Sequence, residues 1–324
     1  MRVLVCGGAG YIGSHMLPSL AAAGHQAVVF DDLSTGHREA VGDAPLVEGD
    51  LSRPGDLDAV FAGARFDAVM HFAARSLVAE SVREPLAYYE HNVAGTLRLL
   101  QAMRRAGVER LVFSSTAAVY GEPRSAEIDE AHPIAPINPY GAGKAMVERM
   151  LADAARAYGL RSVSLRYFNA AGADPAAGIG ESHDPETHLI PNVLRAMRGE
   201  GDGLKVYGAD YPTRDGTCVR DYVHVHDLAA AHLAALDYMD SVPGAHAFNL
   251  SNGGGFSVLE VIEAARAVVG REVPYTVDAR RPGDPAVLVA SSALARERLG
   301  WRPAYTDIGA IIATAWAWHR NPRY

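Results

Sequence analysis

The chain has 324 residues, of which 49% are hydrophobic and 21% charged, a balance typical of a globular enzyme with a well-buried core. Its net charge of -8 and the absence of a basic run exclude a nucleic-acid-binding protein, because such proteins place rows of Lys and Arg against phosphates. No apolar stretch has the length of a membrane helix, no secretory signal is visible, and the two cysteines lie far apart, so we expect a cytoplasmic protein without disulfides or membrane contact.

The N-terminal stretch combines an apolar strand, a glycine-rich turn and a helix-compatible segment. Arg2–Cys6 is typical of a buried strand, and Gly7, Gly10 and Gly13 follow it with the spacing G-x-x-G-x-x-G. Glycines at such a turn let backbone N–H groups approach a pyrophosphate at the start of a helix. Asp31 ends the second apolar run, where its carboxylate accepts hydrogen bonds from both adenosine ribose hydroxyls and repels a 2′-phosphate. The stretch therefore predicts binding of NAD rather than NADP.

Apolar runs alternate with helix-compatible segments through the first half of the chain. Further strands are predicted at 45–50, 68–72, 110–114 and 161–166, and helices between them at 85–106 and 142–158. Continuous apolar strands that alternate with helices predict a doubly wound parallel sheet, the NAD-binding Rossmann fold. Pro18 falls inside the first helix, where a proline removes a hydrogen bond, and the sequence offers no reason for it.

The sequence changes character after about residue 170, where Gly, Pro and Asp become frequent and the regular alternation fades. A strand-like run at 219–223 begins a stretch, about 219–250, that we expect to return to the sheet. We therefore predict an α/β protein with a Rossmann domain over 1–170, joined by about 219–250, and a smaller mixed α/β substrate domain over 171–324. The cleft between the two is the predicted substrate site.

Hydroxyl groups and a Tyr–Lys pair supply the predicted chemistry. Ser114 and Thr116 lie at the carboxyl end of a strand, where open parallel sheets hold their ligands. Tyr140 and Lys144 are four residues apart and share one face of a helix. A lysine ammonium beside a positive nicotinamide stabilises the phenolate and lowers the tyrosine pKa from its usual value of about 10. Tyr140 is then a general base near neutral pH, and Thr116 hydrogen-bonds the same substrate oxygen and helps to pass its proton.

Several motifs resemble the extended short-chain dehydrogenase/reductase superfamily over essentially the whole chain. They are GGAGYIG from Gly7, HFAA from His71, SSTAAVYG from Ser114, YGAGK from Tyr140 and LRYFNAAGA from Leu165. Three more narrow the resemblance to the family of UDP-glucose 4-epimerases: HLIP from His188, YPTRDGTCVRDYVHV from Tyr211 and RRPGD from Arg280. The resemblance implies an isomerase with tightly bound NAD that interconverts UDP-glucose and UDP-galactose through a 4-keto sugar.

The resemblance also assigns residues to the cofactor and to the substrate. Besides the three glycines, Asp31, Tyr140 and Lys144, it implies cofactor contacts for Tyr11, Ile12, Asp50, Leu51, Phe72, Ala73, Ala74, Asn92, Ser114 and Tyr167. Besides Thr116 and Tyr140, it implies substrate contacts for Ser76, Asn169, His188, Leu189, Lys205, Tyr207, Arg220, Tyr222, Arg281, Asp284 and Leu288. Arginines that fork onto the diphosphate hold the nucleotide, whereas a sugar with few fixed contacts can present either face.

Some positions leave alternatives open. Ala117 and Ala118 follow Thr116, where related dehydratases carry acidic residues, and this favours epimerisation. Leu288 falls where a large aromatic restricts the pocket to glucose and galactose and a small residue admits N-acetyl sugars, so UDP-N-acetylglucosamine and a UDP-pentose are alternative substrates. Ser76 and His188 replace a lysine and an asparagine of the family pattern. A non-enzymatic NAD-binding regulator and a dehydrogenase that releases NADH are alternatives of other classes.

Two further patterns concern metals and partners. His224 and His226 alternate with valines, which is typical of strand packing, and no further ligands accompany them, so we predict no metal site. The predicted helices at 85–106 and 142–158 resemble those that form the four-helix dimer contact of the superfamily, and we therefore predict a homodimer. For each single residue, packing within the chain's own core is the alternative. The apolar residues concerned are Leu97, Leu100, Met103, Met146, Met150 and Leu151.

Overall fold

The structure is a computed structural model that describes residues 1–125, 127–201, 203–281 and 284–324. The strands within these ranges are β1 (Arg2–Cys6), β2 (Gln26–Asp31), β3 (Leu46–Glu48), β4 (Ala68–His71), β5 (Arg110–Ser114), β6 (Arg161–Arg166), β7 (Asn169–Ala171), β8 (Leu204–Tyr207), β9 (Val219–Arg220), β10 (Tyr222–His224), β11 (Ala245–Asn249), β12 (Phe256–Ser257), β13 (Tyr275–Asp278) and β14 (Val287–Leu288).

Helices connect most of these strands. The α-helices are α1 (Tyr11–Ala22), α2 (Pro54–Gly63), α3 (Val78–Arg83), α4 (Pro85–Tyr88), α5 (Gly95–Ala106), α6 (Pro139–Tyr158), α7 (Leu189–Met197), α8 (Val225–Ser241), α9 (Val258–Val269), α10 (Ala293–Arg298) and α11 (Ile308–His319). Short 3₁₀ turns cover Arg38–Val41 and Ala117–Tyr120. Among the described residues, we find no helix with both the length and the apolar character that a membrane crossing requires.

A seven-stranded parallel sheet with the order β11-β6-β5-β4-β1-β2-β3 organises the larger part of the chain. Alternate side chains of each strand point to opposite faces, and both faces are buried. Val3 and Val5 of β1 pack in the cluster that includes α1 and α8, whereas Leu4 and Cys6 pack in the cluster that includes α2, α5 and α6. This arrangement confirms the predicted doubly wound Rossmann fold.

A second, smaller core lies in the C-terminal part of the chain. There α7, α9 and α11 pack with short strands, and Val193, Val261 and Ile311 are buried together. These strands form one three-stranded sheet, β12-β9-β14, and a pair, β13-β8. Helix α9 is well bounded, because Ser257 and a glutamate make a capping box at its start and Gly270 ends it with a φ of +73°. The mixed α/β character of this part is confirmed, whereas the boundary after residue 170 stays a prediction.

The predicted strand over 219–223 is wrong in one respect, because it breaks at Asp221 into β9 and β10, which belong to different sheets. The buried Asp221 carboxylate accepts hydrogen bonds from the backbone N–H groups of Asn252 at 3.0 Å and Ala290 at 3.2 Å. In the stretch that we expected to return to the large sheet, β11 joins this sheet and α8 packs beside α1. Strand β9, in contrast, does not join the large sheet.

Two further expectations about helices need correction, and a third is confirmed. The single helix predicted over 85–106 is divided by a π-helical turn at Tyr89–Ala94. His226 lies in the first turn of α8 rather than in a strand, and His224 is the residue that caps this helix by accepting a hydrogen bond from the His226 N–H at 3.1 Å. Pro18 lies within α1 as expected, on the exposed side of a helix that continues past it.

Candidate active site

The glycine turn between β1 and α1 is packed backbone against backbone. Gly7 has a φ of +79°, and a Cβ added to it would lie 2.4 Å from the Ala73 backbone nitrogen. A Cβ at Gly13 would lie 2.1 Å from the Gly7 carbonyl oxygen. Gly10 precedes α1 without any side-chain cap, so the N–H groups at the start of this helix are available to an anion. The turn fits the pyrophosphate of a dinucleotide for these reasons.

The Asp31 carboxylate lies at the end of β2, beside the glycine turn. It is buried and accepts hydrogen bonds from the backbone N–H groups of Ala9 and Leu33, both at 2.9 Å. Burial raises its pKa, and these two hydrogen bonds act in the opposite direction. Asp31 therefore holds the loop in place and presents a carboxylate where an adenosine ribose would lie.

Most of the other predicted cofactor residues follow the carboxyl ends of the parallel strands. Asp50 and Leu51 come after β3, Phe72, Ala73 and Ala74 after β4, Ser114 at the end of β5, and Tyr167 after β6. The hydroxyls of Ser114 and Tyr167 are hydrogen-bonded to each other. The structure thus gathers these residues along one edge of the sheet, where open α/β sheets bind ligands.

Three helical residues of the predicted cofactor set are also placed by specific contacts. Asn92, in the π-helical turn, accepts from the Arg75 N–H and donates to the Arg75 carbonyl, both at 2.9 Å. Ile12 lies in the first turn of α1, partly buried. The Tyr11 hydroxyl, in contrast, donates to the Gly172 carbonyl at 2.6 Å, so it ties α1 to the C-terminal part of the chain.

Helix α6 brings Tyr140 and Lys144 against the end of β5. Asn138 caps the helix by accepting from the Gly141 N–H at 2.8 Å. A Cβ at Gly141 would lie 2.5 Å from the Ala118 carbonyl, so the helix start packs closely on the 3₁₀ turn that begins after Thr116. Lys144 is buried, and its Nζ donates to the Ser114 carbonyl at 2.8 Å. The structure therefore brings Thr116, Tyr140 and Lys144 together.

Burial dominates the protonation of this group. It raises the pKa of Tyr140 to about 12, although the Thr116 hydroxyl lowers it in part. Burial also lowers the pKa of Lys144 to about 7, against the attraction of Glu148. The Lys144 Nζ lies 5.9 Å from the centre of the Tyr140 ring. The expected lowering of the tyrosine pKa includes the positive charge of a bound nicotinamide, so it stays a prediction.

A buried polar network behind Lys144 was not anticipated from the sequence. Arg166 makes an ion pair with Glu148 and donates to the Tyr120 hydroxyl at 2.7 Å. The Glu148 Oε1 also accepts from the Ser115 hydroxyl at 2.6 Å. The available signal was the position of Glu148, which lies one helical turn after Lys144 on the same face of α6.

Four of the predicted substrate residues line one small cavity. Asn169, His188, Leu189 and Tyr222 surround it, and the register of β7 with β10 places Asn169 opposite Tyr222. His188 is the N-cap residue of α7, so the helix start faces the same space.

The remaining predicted nucleotide-binding residues form a second group. Arg220 makes an ion pair with Asp284 and lies opposite Leu288 in the register of β9 with β14. The Arg281 guanidinium stacks 3.9 Å from the centre of the Tyr207 ring. Pro282 and Gly283 of the RRPGD motif lie outside the described residues.

Two of the predicted substrate residues lie outside both groups. Ser76 is exposed in the loop between β4 and α3. Lys205 points outward from β8 and pairs with Asp278 at 3.4 Å on an exposed surface. Sequence reasoning also missed a cluster of two glutamates and two histidines at 181–188, although the spacing E-x-H-x-x-E-x-H was visible.

Comparison with known proteins places the chain in a family. A sequence profile of the NAD dependent epimerase/dehydratase family matches residues 3–251. The UDP-glucose 4-epimerase of Lacticaseibacillus casei is 52% identical over 322 residues, which cover 99% of this chain and 97% of the relative. The UDP-glucose 4-epimerase of Brucella ovis in complex with NAD has a TM-score of 0.95 and 49% identity, with 97% of both chains covered. The Bifidobacterium longum enzyme in complex with NAD+ and UDP has a TM-score of 0.94 and 37% identity, with 99% of both chains covered. The chain therefore belongs to the NAD dependent epimerase/dehydratase family.

Proposed function

We propose that this protein is an NAD-dependent isomerase that inverts C4 of a UDP-hexose and interconverts UDP-glucose and UDP-galactose through a 4-keto sugar. The observation that carries the proposal is the convergence of Thr116, Tyr140 and Lys144 at the edge of the sheet that also holds the glycine turn. Similarity over nearly the full length to UDP-glucose 4-epimerases supports the same activity.

The roles of the protein groups follow from their positions. Bound along the edge of the sheet that carries the glycine turn, NAD would supply the reversible hydride acceptor for C4 of the sugar. Tyr140 takes the proton of the 4-hydroxyl and gives it back after the sugar has turned, and the Thr116 hydroxyl hydrogen-bonds the same oxygen. Lys144 holds the nicotinamide ribose and stabilises the phenolate. Burial of Thr116 and Lys144, with Tyr140 half-buried beside them, limits access of water to the ketone between the two hydride transfers.

The nucleotide half of the substrate is held away from this chemistry. Arg220 and Arg281 supply planar guanidinium groups for the diphosphate, and Tyr207 supplies an aromatic face for the uracil side. Asn169 and Tyr222 line the small cavity near the start of α7. Since these contacts all serve the UDP part, the sugar is free to rotate about its bond to the diphosphate.

A turnover assay with UDP-galactose and UDP-glucose tests the proposal. We expect Tyr140→Phe to keep its bound NAD and to lose at least about 100-fold in kcat, because it removes the acid/base group. Tyr158→Phe is a matched control on the exposed end of the same helix and should leave kcat unchanged. An almost unchanged rate for Tyr140→Phe would remove this residue from its role.

The same assay separates the other functions. A dehydrogenase would accumulate free NADH, whereas the epimerase returns every hydride and accumulates none. A non-enzymatic regulator would retain NAD without turning over any UDP-sugar. A preference of about tenfold or more for UDP-N-acetylglucosamine or a UDP-pentose would replace the glucose and galactose assignment with the same chemistry on another sugar.

The proposal includes a cytoplasmic homodimer formed through α5 and α6. Leu97 and Met146 are 44% and 47% exposed on these helices, which supports a face covered by a second copy. Leu100, Met103 and Leu151 are buried in the chain's own core, so core packing accounts for these three, and Met150 packs partly against the same core. Light scattering should give twice the chain mass for the wild type and a smaller mass for the variant Leu97→Glu/Met146→Glu.

A further inference from the structure

Two glutamates and two histidines converge in the segment that precedes α7. The donor atoms of Glu181, His183, Glu186 and His188 all lie within 4.8 Å of one another. Both glutamate side chains are buried, at 5% and 4% exposure, which is unusual for carboxylates without a cation beside them. We propose that this cluster is a binding site for a divalent transition-metal cation, with zinc as the ion that its donors fit.

The hydrogen bonds within the cluster leave the donors incompletely satisfied. The Nδ1 of His188 lies 2.8 Å from Glu181 Oε1 and 2.9 Å from Glu186 Oε1, but one ring nitrogen carries one hydrogen at most. The Nδ1 of His183 is buried 3.3 Å from Glu181 Oε1 and has no hydrogen-bond partner among the described residues. Two imidazole nitrogens and two carboxylates therefore lie close together with fewer hydrogens than acceptors, and a single cation would satisfy them.

The donor set and its size suit zinc. Zinc binds imidazole nitrogen and carboxylate oxygen at about 2.0–2.2 Å, so tetrahedral donors stand roughly 3.3–3.6 Å apart. The distances from the histidine Nδ1 atoms to the glutamate oxygens are 2.8, 2.9, 3.3 and 3.8 Å, so the two shorter ones must lengthen by about 0.5 Å when zinc enters. No two donor atoms lie more than 4.8 Å apart, and rotation of the histidine rings adjusts them, since His183 and His188 are the more exposed members.

Surrounding groups orient the ligands, as they do in metal sites. The backbone N–H groups of Thr187 and His188 both donate to Glu186 Oε1 at 2.8 Å. The Trp318 indole donates to the Glu181 carbonyl at 2.9 Å and fixes the start of the segment. An open cavity of about 200 Å³, lined in part by Glu181, His183 and Glu186, gives an ion access from solvent.

The charge of the ligand set also suits a divalent cation. With the imidazoles as neutral ligands, the two carboxylates balance the two positive charges of the ion. Because all four ligands come from the protein, the metal would hold the segment before α7, which lines the proposed substrate cavity, without taking part in the reaction.

Zinc binding by the NAD-loaded protein, after dialysis against a chelator, tests the site. We expect one zinc ion per chain in competition with a chromophoric chelator, and at least 100-fold weaker binding by His183→Gln/Glu186→Gln. His246→Gln removes a histidine from an exposed strand end and should bind as the wild type does.

Several results would contradict the proposed zinc site. Equal zinc affinity in the wild type and the double variant would overturn the proposal and leave an ion-paired cluster. If the double variant fails to fold, the cobalt-loaded wild type decides, because tetrahedral cobalt absorbs visible light far more strongly than octahedral cobalt. An octahedral spectrum, or one that His183→Gln leaves unchanged, would overturn the site as well.

Discussion

The ion pair between Glu148 and Arg166 allows a quantitative test of the buried polar network behind Lys144. The two side chains are 13% and 7% exposed, and Glu148 also accepts from the Ser115 hydroxyl. Glu148→Gln keeps the shape of the side chain but leaves the Arg166 guanidinium buried and uncompensated. Removing one partner of a buried pair costs about 3–5 kcal/mol, so this variant should lose that much free energy of unfolding.

The loss can be read as a shift in melting temperature. With an unfolding entropy of about 2.1 cal/mol/K per residue, the 324 residues give roughly 0.7 kcal/mol/K, and Tm should fall by about 4–7 °C. Circular dichroism melting of the NAD-loaded protein measures it. Glu263→Gln is the matched control, because Glu263 pairs with Arg266 on the surface at 64% exposure and should shift Tm by less than about 1.5 °C. If Glu148→Gln melts within a degree of that control, the reasoning about the buried pair is wrong.

Three other predictions concern the cofactor loop, the pH dependence and the substrate pocket. Gly13→Ala brings a Cβ to 2.1 Å from the Gly7 carbonyl, so it should purify with at least tenfold less bound NAD, whereas Gly63→Ala, in open space, should retain it. Burial lowers the pKa of His71 to about 3, so its neutral form stabilises the fold above pH 6.5 and this contribution is lost as the pH falls toward 3. In urea titrations between pH 6 and 4, His71→Gln should reduce the slope of unfolding free energy by up to about 1.4 kcal/mol per pH unit, and an unchanged slope would contradict this. Leu288→Ala should raise the relative kcat/KM for UDP-N-acetylglucosamine, and Leu288→Tyr should lower it; the same ratio in both would show that this side chain does not limit the pocket.

The large sheet could be predicted because its strands are buried on both faces. The apolar runs at Arg2–Cys6, Arg110–Ser114 and Arg161–Arg166 have the same bounds as β1, β5 and β6. The glycine turn, Asp31 and the Tyr–Lys pair were visible for a similar reason, since each needs a particular residue type at a fixed spacing.

Features that depend on distant partners could not be predicted in this way. The break at Asp221 rests on backbone groups of Asn252 and Ala290, which are close only in the folded chain. The pKa of Tyr140 is raised mainly by burial of its side chain, and the degree of burial depends on the packing of α6 in the folded chain. The spacing of the cluster at 181–188 is visible in the sequence, but the convergence of its side chains depends on how the loop before α7 folds.

The position of β11 has a consequence for how the protein is made. This strand is the last of the large sheet in the sequence, yet it pairs with β6, so the sheet cannot be completed until residue 249 has been synthesised. Until then the six residues of β6 present an open edge, and open edges are the places where nascent chains associate wrongly. A fragment that ends at residue 170 would keep this edge permanently. The nucleotide part and the substrate part therefore differ in what they bind, but they are not separate folding units. We expect the two parts to fold together.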